Sequence, residues 1–405
     1  MQNTQDVTAT LSDDLKFLIA CCQMEPSADD ITFIYSYLNA EHFTTNVLID
    51  LAHQHGVLPL VYKTLKSLFE NTSPRSLSMS KCNPQILTEL KVHYMHISQR
   101  NMLMSAELIR IMKLLEDNDI EALAFKGPTL SQLAYGDITF RQYSDLDILT
   151  QKKDIYKIYS LLKSYGYERL LTLTPVQEKI WIKNTHDMGF MHPTKHIHIE
   201  MHWSLLDEDY PMQVNLKDFW KELQEITISG HPLHTFSNEN LLIYLCIHGS
   251  KHLWERIEWV KDIDLLIRNH KIDWEKIIEN VKNSDFYVMF YLGLILSRQL
   301  FHTPLSHNIQ DNIYLENELS KLSSHVFLTW TYPNLGNLTF WEKVKNINYK
   351  LLFFSTVQQK INFLYKTLFR PTYRDYNYIQ LPSYLFWVYA FIRPLLLLKE
   401  YIYRK

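Results

Sequence analysis

Two aspartates one residue apart in an otherwise apolar run, Ser144-Asp145-Leu146-Asp147-Ile148-Leu149, constrain this chain more than any other feature of its sequence. In an extended strand, residues two apart project to the same face, which puts the two carboxylates together about 6 to 7 Å apart. Leu146, Ile148 and Leu149 supply the apolar anchoring. Two carboxylates at a buried strand end repel one another unless a cation neutralises them. Their hard oxygens favour Mg²⁺, which typically takes one or two carboxylates together with substrate phosphates. Alone, the pair is a weak signal, because many such pairs lie on solvated turns.

The apolar periodicity around this strand changes twice. Residues 12–68 read as helices, and the polar stretch from Asn71 to Ser80 reads as a loop. From Pro84 to Asn118, Leu87, Leu90, Tyr94, Ile97, Met104, Leu108, Ile111 and Leu115 recur at three- and four-residue steps, the period of a long helix. Ile120 to Phe125 is then a short buried strand, ended by the turn residues Lys126-Gly127-Pro128. Thr129 to Tyr135 suits a short helix, Ser144 to Thr150 a strand, and Lys153 to Tyr165 a helix closed by Gly166. Thr174-Pro175 opens another helix, followed by strands at Asp187 to His192 and Lys195 to Trp203. From Asn238 onward the pattern is helical again, with breaks at Pro333, Pro371, Pro382 and Pro394. A chain of 405 residues exceeds one ordinary core. The expected fold is α+β: a small mixed sheet over 119–236, with helical regions at 1–118 and 237–405.

The nine glycines form neither G-x-G-x-x-G nor G-x-x-x-x-G-K-[ST], so any nucleotide phosphate must be gripped by another device. Lys126-Gly127 offers one, a charge beside a residue that lets backbone come close to phosphate. Arg141, four residues before Asp145, offers a second. A third carboxylate stands in Lys195-His-Ile-His-Ile-Glu-Met-His-Trp203. Strand alternation there puts His196, His198, Glu200 and His202 on one face and Ile197, Ile199 and Met201 on the other.

A strand, a glycine turn, a helix, a D-x-D strand and a later strand with a third acid together resemble the polymerase-beta-like nucleotidyltransferase superfamily. More narrowly, several segments are similar to an uncharacterised bacterial nucleotidyltransferase family: Leu123-Ala-Phe-Lys-Gly-Pro128, Tyr135, Arg141, Ser144 to Leu149, Ile199-Glu-Met-His-Trp203, and Leu245 to Arg256 continuing into Trp259 to Asp264. The superfamily's Gly-Ser signature is here Lys126-Gly127-Pro128, and the gap to the first aspartate is longer. The resemblance implies a nucleotidyltransferase core in which Asp145, Asp147 and Glu200 are the catalytic carboxylates and hold Mg²⁺ or Mn²⁺. It implies nucleotide binding by Lys126, Gly127, Arg141 and Ser144, and transfer of a nucleoside monophosphate, AMP from ATP being expected, to an unknown acceptor. Glu200, or its neighbour His202, would assist deprotonation of that acceptor.

Two readings from other classes compete. One is a nucleotidyltransferase-like binding or regulatory module without turnover, against which the clustered carboxylates argue. The other is a His-rich metal hydrolase on His196, His198, Glu200 and His202, against which strand rise argues, since the outer two are about 20 Å apart. His248 and His252, four apart on a helix, lack the glutamate of H-E-x-x-H and suggest a polar network or an acceptor-binding wall. Cys21, Cys22, Cys82 and Cys246 form no C-x-x-C pair, and together with the lack of a secretory signal they suggest a reducing cytoplasm.

The net charge of −3 is unevenly spread: residues 341–405 carry 11 Lys+Arg against 3 Asp+Glu. Such a basic, aromatic tail could meet an anionic membrane surface, a nucleic acid or the acidic body itself. Within it, Leu381 to Leu398 is about as long as a minimal span but is interrupted by Pro382 and Arg393-Pro394. A buried C-terminal helix is expected there, with an interfacial helix as the alternative.

Overall fold

Side-chain caps start the first helices. Ser12 caps α1 (Asp13–Cys21), and Ser27 with Asp30 forms a capping box on α2 (Ala28–Leu38). The computed structural model describes residues 11–402 apart from 42, 72–84, 208–209, 213, 283, 308, 310–315, 332–339 and 380. The expected polar loop beyond residue 71, Pro333 and Cys82 therefore lie outside the described residues. After α3 (Thr45–Gln54) and α4 (Leu58–Asn71) comes the long amphipathic α5 (Gln85–Glu116).

The α/β part follows as β1 (Ala122–Ala124), α6 (Pro128–Leu130), β2 (Asp145–Thr150), α7 (Ile155–Ser164), β3 (Glu168–Arg169), α8 (Pro175–Asn184), β4 (Asp187–His192) and β5 (Ile197–His202). These strands form one mixed sheet in the order β1-β2-β5-β4-β3. The β2–β5 pair is parallel and the other three pairs are antiparallel. One face buries Leu146, Ile148, Ile199 and Met201 against Met104, Leu108, Ile111 and Leu115 of α5, so the apolar half of each alternation is what seats the sheet. After α9 (Leu216–Lys221), a hairpin of β6 (Leu223–Ile228) and β7 (His231–Phe236) adds a second small sheet that the sequence reading did not include. Its turn, Ser229-Gly230, has positive φ at both residues (49° and 81°), the backbone that a two-residue hairpin of primed type needs. His196 is not on the β5 face as expected. It closes the turn before the strand, with φ 53° and its amide bonded to the His192 carbonyl.

The helices α10 (Asn238–Lys251), α11 (Ile257–Asn269), α12 (Trp274–Lys282) and α13 (Tyr287–Phe301) share one apolar core with α1 to α4. Gly249 of α10 lies flat against the fully buried Trp254 ring, leaving no room for a Cβ. Gly293 of α13 is comparably tight, since a Cβ there would stand 2.7 Å from Cys246 Sγ. Gly249→Ala is therefore expected to lower stability by about 1–3 kcal/mol through overpacking. Urea unfolding monitored by circular dichroism reads this loss, and an unchanged midpoint would refute the packing argument. Cys21, Cys22 and Cys246 are buried free thiols of this core.

The remaining helices are α14 (Glu316–Thr331), α15 (Phe340–Leu351), α16 (Val357–Phe369), α17 (Tyr373–Tyr378) and α18 (Tyr389–Ile402), the last preceded by a 3₁₀ segment, Ser383–Val388. The expectation of a buried C-terminal helix is overturned. Among the described residues of this segment, only Tyr389 is fully enclosed, among Tyr376, Phe386 and Leu173, while Tyr384, Trp387, Phe391 and Leu395 stand in solvent. The reason is that this segment packs on one side only, against α16 and α17, and no described element covers its other side. Among the described residues, no helix is long and apolar enough to cross a membrane.

Candidate active site

The parallel register of β2 and β5 sets Asp147 directly opposite Glu200 and Asp145 opposite His198. The apolar alternation that seats the sheet thus leaves two acids of β2 and the polar side chains of β5 together on the opposite face. β1 runs antiparallel to β2 on its other side, and Phe125 N–H donates to the Asp147 carbonyl. The next residue, Lys126, brings its Nζ to 2.8 Å from Asp147 Oδ1. Gly127 then turns the chain with φ 56° so close to β2 that a Cβ would sit 3.1 Å from the Asp145 carbonyl oxygen. Only glycine takes this backbone without strain.

His202 completes the cluster. Its Nε2 lies 3.2 Å from Asp147 Oδ1 and 3.5 Å from Glu200 Oε2. Asp147 is only 1% exposed, and its second oxygen, Oδ2, is buried without a hydrogen-bond partner. Two overlapping groups place their nearest ligand atoms within 4.8 Å of one another, Asp147/Glu200/His202 and Asp145/His198/Glu200. Burial pushes the Asp145 carboxyl up, and the neighbouring Asp147 charge adds to it. Burial acts on Asp147 in the same direction, but the Lys126 ammonium and His202 hold it well below the usual carboxylate range. Burial would lower His202, yet its bonds to Asp147 and Glu200 raise it to about 9. Glu200 and His202, side by side at the cleft, are the acid–base candidates, Glu200 being the more exposed of the two.

Lys126, Glu200 and His202 of this cluster line a cleft of about 270 Å³, with His186 and Asp187 beside them. The facing wall comes from α10, where His248, Lys251 and His252 fall at i, i+3 and i+4 and line the same space. Lys251 Nζ is 3.1 Å from His186 Nε2, and His186 Nδ1 is held at 2.6 Å by Asp207. Asp207 in turn accepts from Lys366 Nζ of α16 at 2.8 Å. Burial, with Lys251 and Lys126 nearby, lowers His252 to about 3, and burial likewise depresses Lys251. The helical wall thus collects cationic and imidazole groups in too little water, an environment that favours an anion.

The remaining expected residues are placed differently. Arg141 is 5% exposed, and its Nε and Nη2 donate to the two oxygens of Asp262 on α11 at 2.9 and 3.0 Å. Tyr135 donates to the same carboxylate at 2.8 Å. Arg141, expected at the phosphates, is placed in a buried ion pair with Asp262. Ser144 is exposed just before β2, and its carbonyl receives a long contact, 3.5 Å, from Arg100. The four-residue histidine face proposed for a hydrolase is divided, since His196 leaves the strand. Lys251 was not singled out in the sequence, although its helical spacing to His248 and His252 was there to read.

Residues 41–302, well over half of the chain, match the model of a family described as an uncharacterised nucleotidyltransferase. No curated protein matches. Among solved structures, a lincomycin-bound lincosamide antibiotic adenylyltransferase is similar at 20% identity, over 40% of this chain and 94% of its own, with a TM-score of 0.29. The antibiotic-resistance factor ANT(2'')-Ia in complex with adenylyl-2''-tobramycin follows at 12% identity, over 43% and 91%, with a TM-score of 0.31. An antigenic nucleotidyltransferase-like protein from Paracoccidioides brasiliensis matches at 16% identity, over 47% and 91%, with a TM-score of 0.28. These three overlaps are partial, and it is the family match, spanning the carboxylate cluster and the α10 wall, that identifies the chain.

Proposed function

Since the chain belongs to this uncharacterised nucleotidyltransferase family, we propose that it moves a nucleoside monophosphate from an NTP, ATP being the expected donor, to an acceptor hydroxyl. The observation that carries the reading is the carboxylate cluster, which reaches the cleft through Glu200 and in which Asp147 Oδ2 is buried without a hydrogen-bond partner. A divalent cation suits that oxygen. The neighbouring donors from Asp145 and Glu200 are hard carboxylate oxygens of the kind Mg²⁺ and Mn²⁺ take. Asp145, Asp147 and Glu200 would hold the ion, which when bound supplies charge neutralisation and polarisation at the phosphates.

The chain's own groups divide the rest of the work. Lys126, anchored on Asp147, offers positive charge beside the carboxylates, and Lys251 offers it from across the cleft. Gly127 keeps the turn narrow enough for backbone to approach a phosphate. In the reaction, the acceptor oxygen bonds to the α-phosphorus as the bond to the β-phosphate oxygen breaks, and pyrophosphate leaves. Glu200 accepts the acceptor's proton. Its side chain is 28% exposed against 1% for Asp147, so of the two it is the one a substrate can reach.

The test incubates the purified chain with α-labelled NTPs, Mg²⁺ and a fractionated cell extract. The expected result is label transferred to one acceptor class, lost with EDTA and restored by Mg²⁺ or Mn²⁺. Lys251→Met is expected to raise KM for the NTP about tenfold, the size of one charge-assisted phosphate contact. Tight NTP binding without transfer to any fraction would replace this reading with that of a binding module.

A further inference from the structure

The C-terminal helices keep two apolar rows in water. On α16, Val357, Ile361 and Tyr365 recur every fourth residue and are each more than half exposed, while the opposite side sends Phe363 against Phe354 in the core. Through the 3₁₀ segment into α18, Tyr384, Trp387, Phe391 and Leu395 recur at three- and four-residue steps and are 76%, 65%, 67% and 66% exposed. Their opposite side seats Tyr389 and pairs Arg393 with Asp375. α16 and α18 pack on each other, so the rows belong to neighbouring helices. Scattered exposed apolar residues need no explanation, but contiguous aromatic rows mark a surface that meets something.

Charge selects what it meets. Between Glu342 and Glu400 the single acidic residue is Asp375, which is buried and paired. Lys366 and Arg370 turn inward to Asp207, yet Lys345 and Arg374 stand exposed, Lys360 is half-buried, and Lys399 is exposed beside Tyr378. Among the described residues from Lys343 to Lys399, the exposed and half-buried charges are thus positive and no carboxylate is exposed, Lys360 lying on α16 and Lys399 on α18 with the aromatic rows. Tryptophan and tyrosine sit well at the headgroup level of a bilayer, and lysine and arginine are drawn to anionic lipid. With Pro394 inside it and 14 residues in all, α18 fits along such a surface, not through it.

We infer that the exposed faces of α16 and of residues 384–399 form a docking surface for an anionic lipid bilayer. A protein partner or a second copy would be expected to bring its own carboxylates to such a face, and self-association is the rival outcome to be tested.

The experiment sediments the full chain with vesicles of phosphatidylcholine alone or with about one third phosphatidylglycerol, the anionic lipid supplying the surface potential. Binding is expected to the anionic vesicles. It should fall about tenfold or more when two rim aromatics are made acidic in Trp387→Glu/Phe391→Glu. It should weaken between about 0.1 M and 1 M salt as the Debye length drops from roughly 10 to 3 Å. Leu103→Glu, at an exposed apolar position of α5, serves as the control and is expected to bind like the natural chain. Both variants change solvent-facing positions, and a thermal melt confirms that they fold. No binding to anionic vesicles, binding insensitive to the double substitution, or a dimer in light scattering that the double substitution dissolves would each overturn the inference.

Discussion

Asp145→Asn is expected to leave the chain as stable as before, or more so, while nucleotidyl transfer falls on the order of 10³-fold, the scale of losing one preorganised electrostatic group or metal ligand. The two halves of this result share one cause. Burial and the adjacent Asp147 charge push the Asp145 carboxyl up, so in the ion-free protein its negative charge is a burden that asparagine removes. The geometry of β2 barely changes, because asparagine is isosteric. What is lost is one hard anionic oxygen from the group that includes His198 and Glu200. Asp147→Asn is the informative contrast. Asp147 partners Lys126 at 2.8 Å and His202 at 3.2 Å, both nearly enclosed. Its neutralisation strands two cations and is expected to cost about 3–5 kcal/mol, as when one member of a buried pair is removed. Denaturant unfolding and single-turnover transfer, measured on both variants, separate the outcomes. If Asp145→Asn transfers at the natural rate, the carboxylate cluster is not the catalytic site.

How far the sequence carries one toward this site depends on how local each relation is. Strand alternation is local, so the sharing of one face by Asp145 and Asp147, and the place of Glu200 on the polar face of its own strand, could be read directly, as could the helical pattern of α5. The parallel pairing of β2 with β5 could not, since it joins residues more than fifty positions apart. Lys126 was legible as a charge at a glycine turn, and its strand places it on Asp147. Arg141 was not, because whether a guanidinium meets a phosphate or a carboxylate 121 residues away depends on the packing of α11. The β6–β7 hairpin carried a readable Ser-Gly turn between alternating apolar residues and was simply overlooked. The exposure of the C-terminal aromatics had no local sign at all. The same pattern of Tyr, Trp, Phe and Leu describes a helix buried by a neighbour and one that has none.

Arg141→Met is expected to destabilise the chain by about 3–5 kcal/mol and to leave KM for the NTP within about twofold where the protein is still folded. The guanidinium, the Asp262 carboxylate and the Tyr135 hydroxyl form a buried group whose members satisfy one another. Glu258 stands beside it, pushed up to about 8 by burial against the pull of Arg141 and with the Asp262 charge adding to the rise. Its nearer contact is the Gln142 amide at 2.8 Å, and its Oε2 lies 3.9 Å from Arg141. Removing Arg141 leaves the buried Asp262 without its cation and with one hydroxyl donor, which is the costly case. Removing both charges in Arg141→Met/Asp262→Leu is expected to recover most of the loss, because a buried ion pair gains little over apolar groups of similar size. That pattern, a large single loss and a small double one, is what a structural pair gives in a double-mutant cycle. A phosphate ligand would give the reverse, an unfolding midpoint near the natural one and a KM raised about tenfold or more in Arg141→Met. The unfolding curves and the NTP dependence of transfer, taken on these two variants and on Asp262→Leu, decide between a residue that braces β2 against α11 and one that touches the nucleotide.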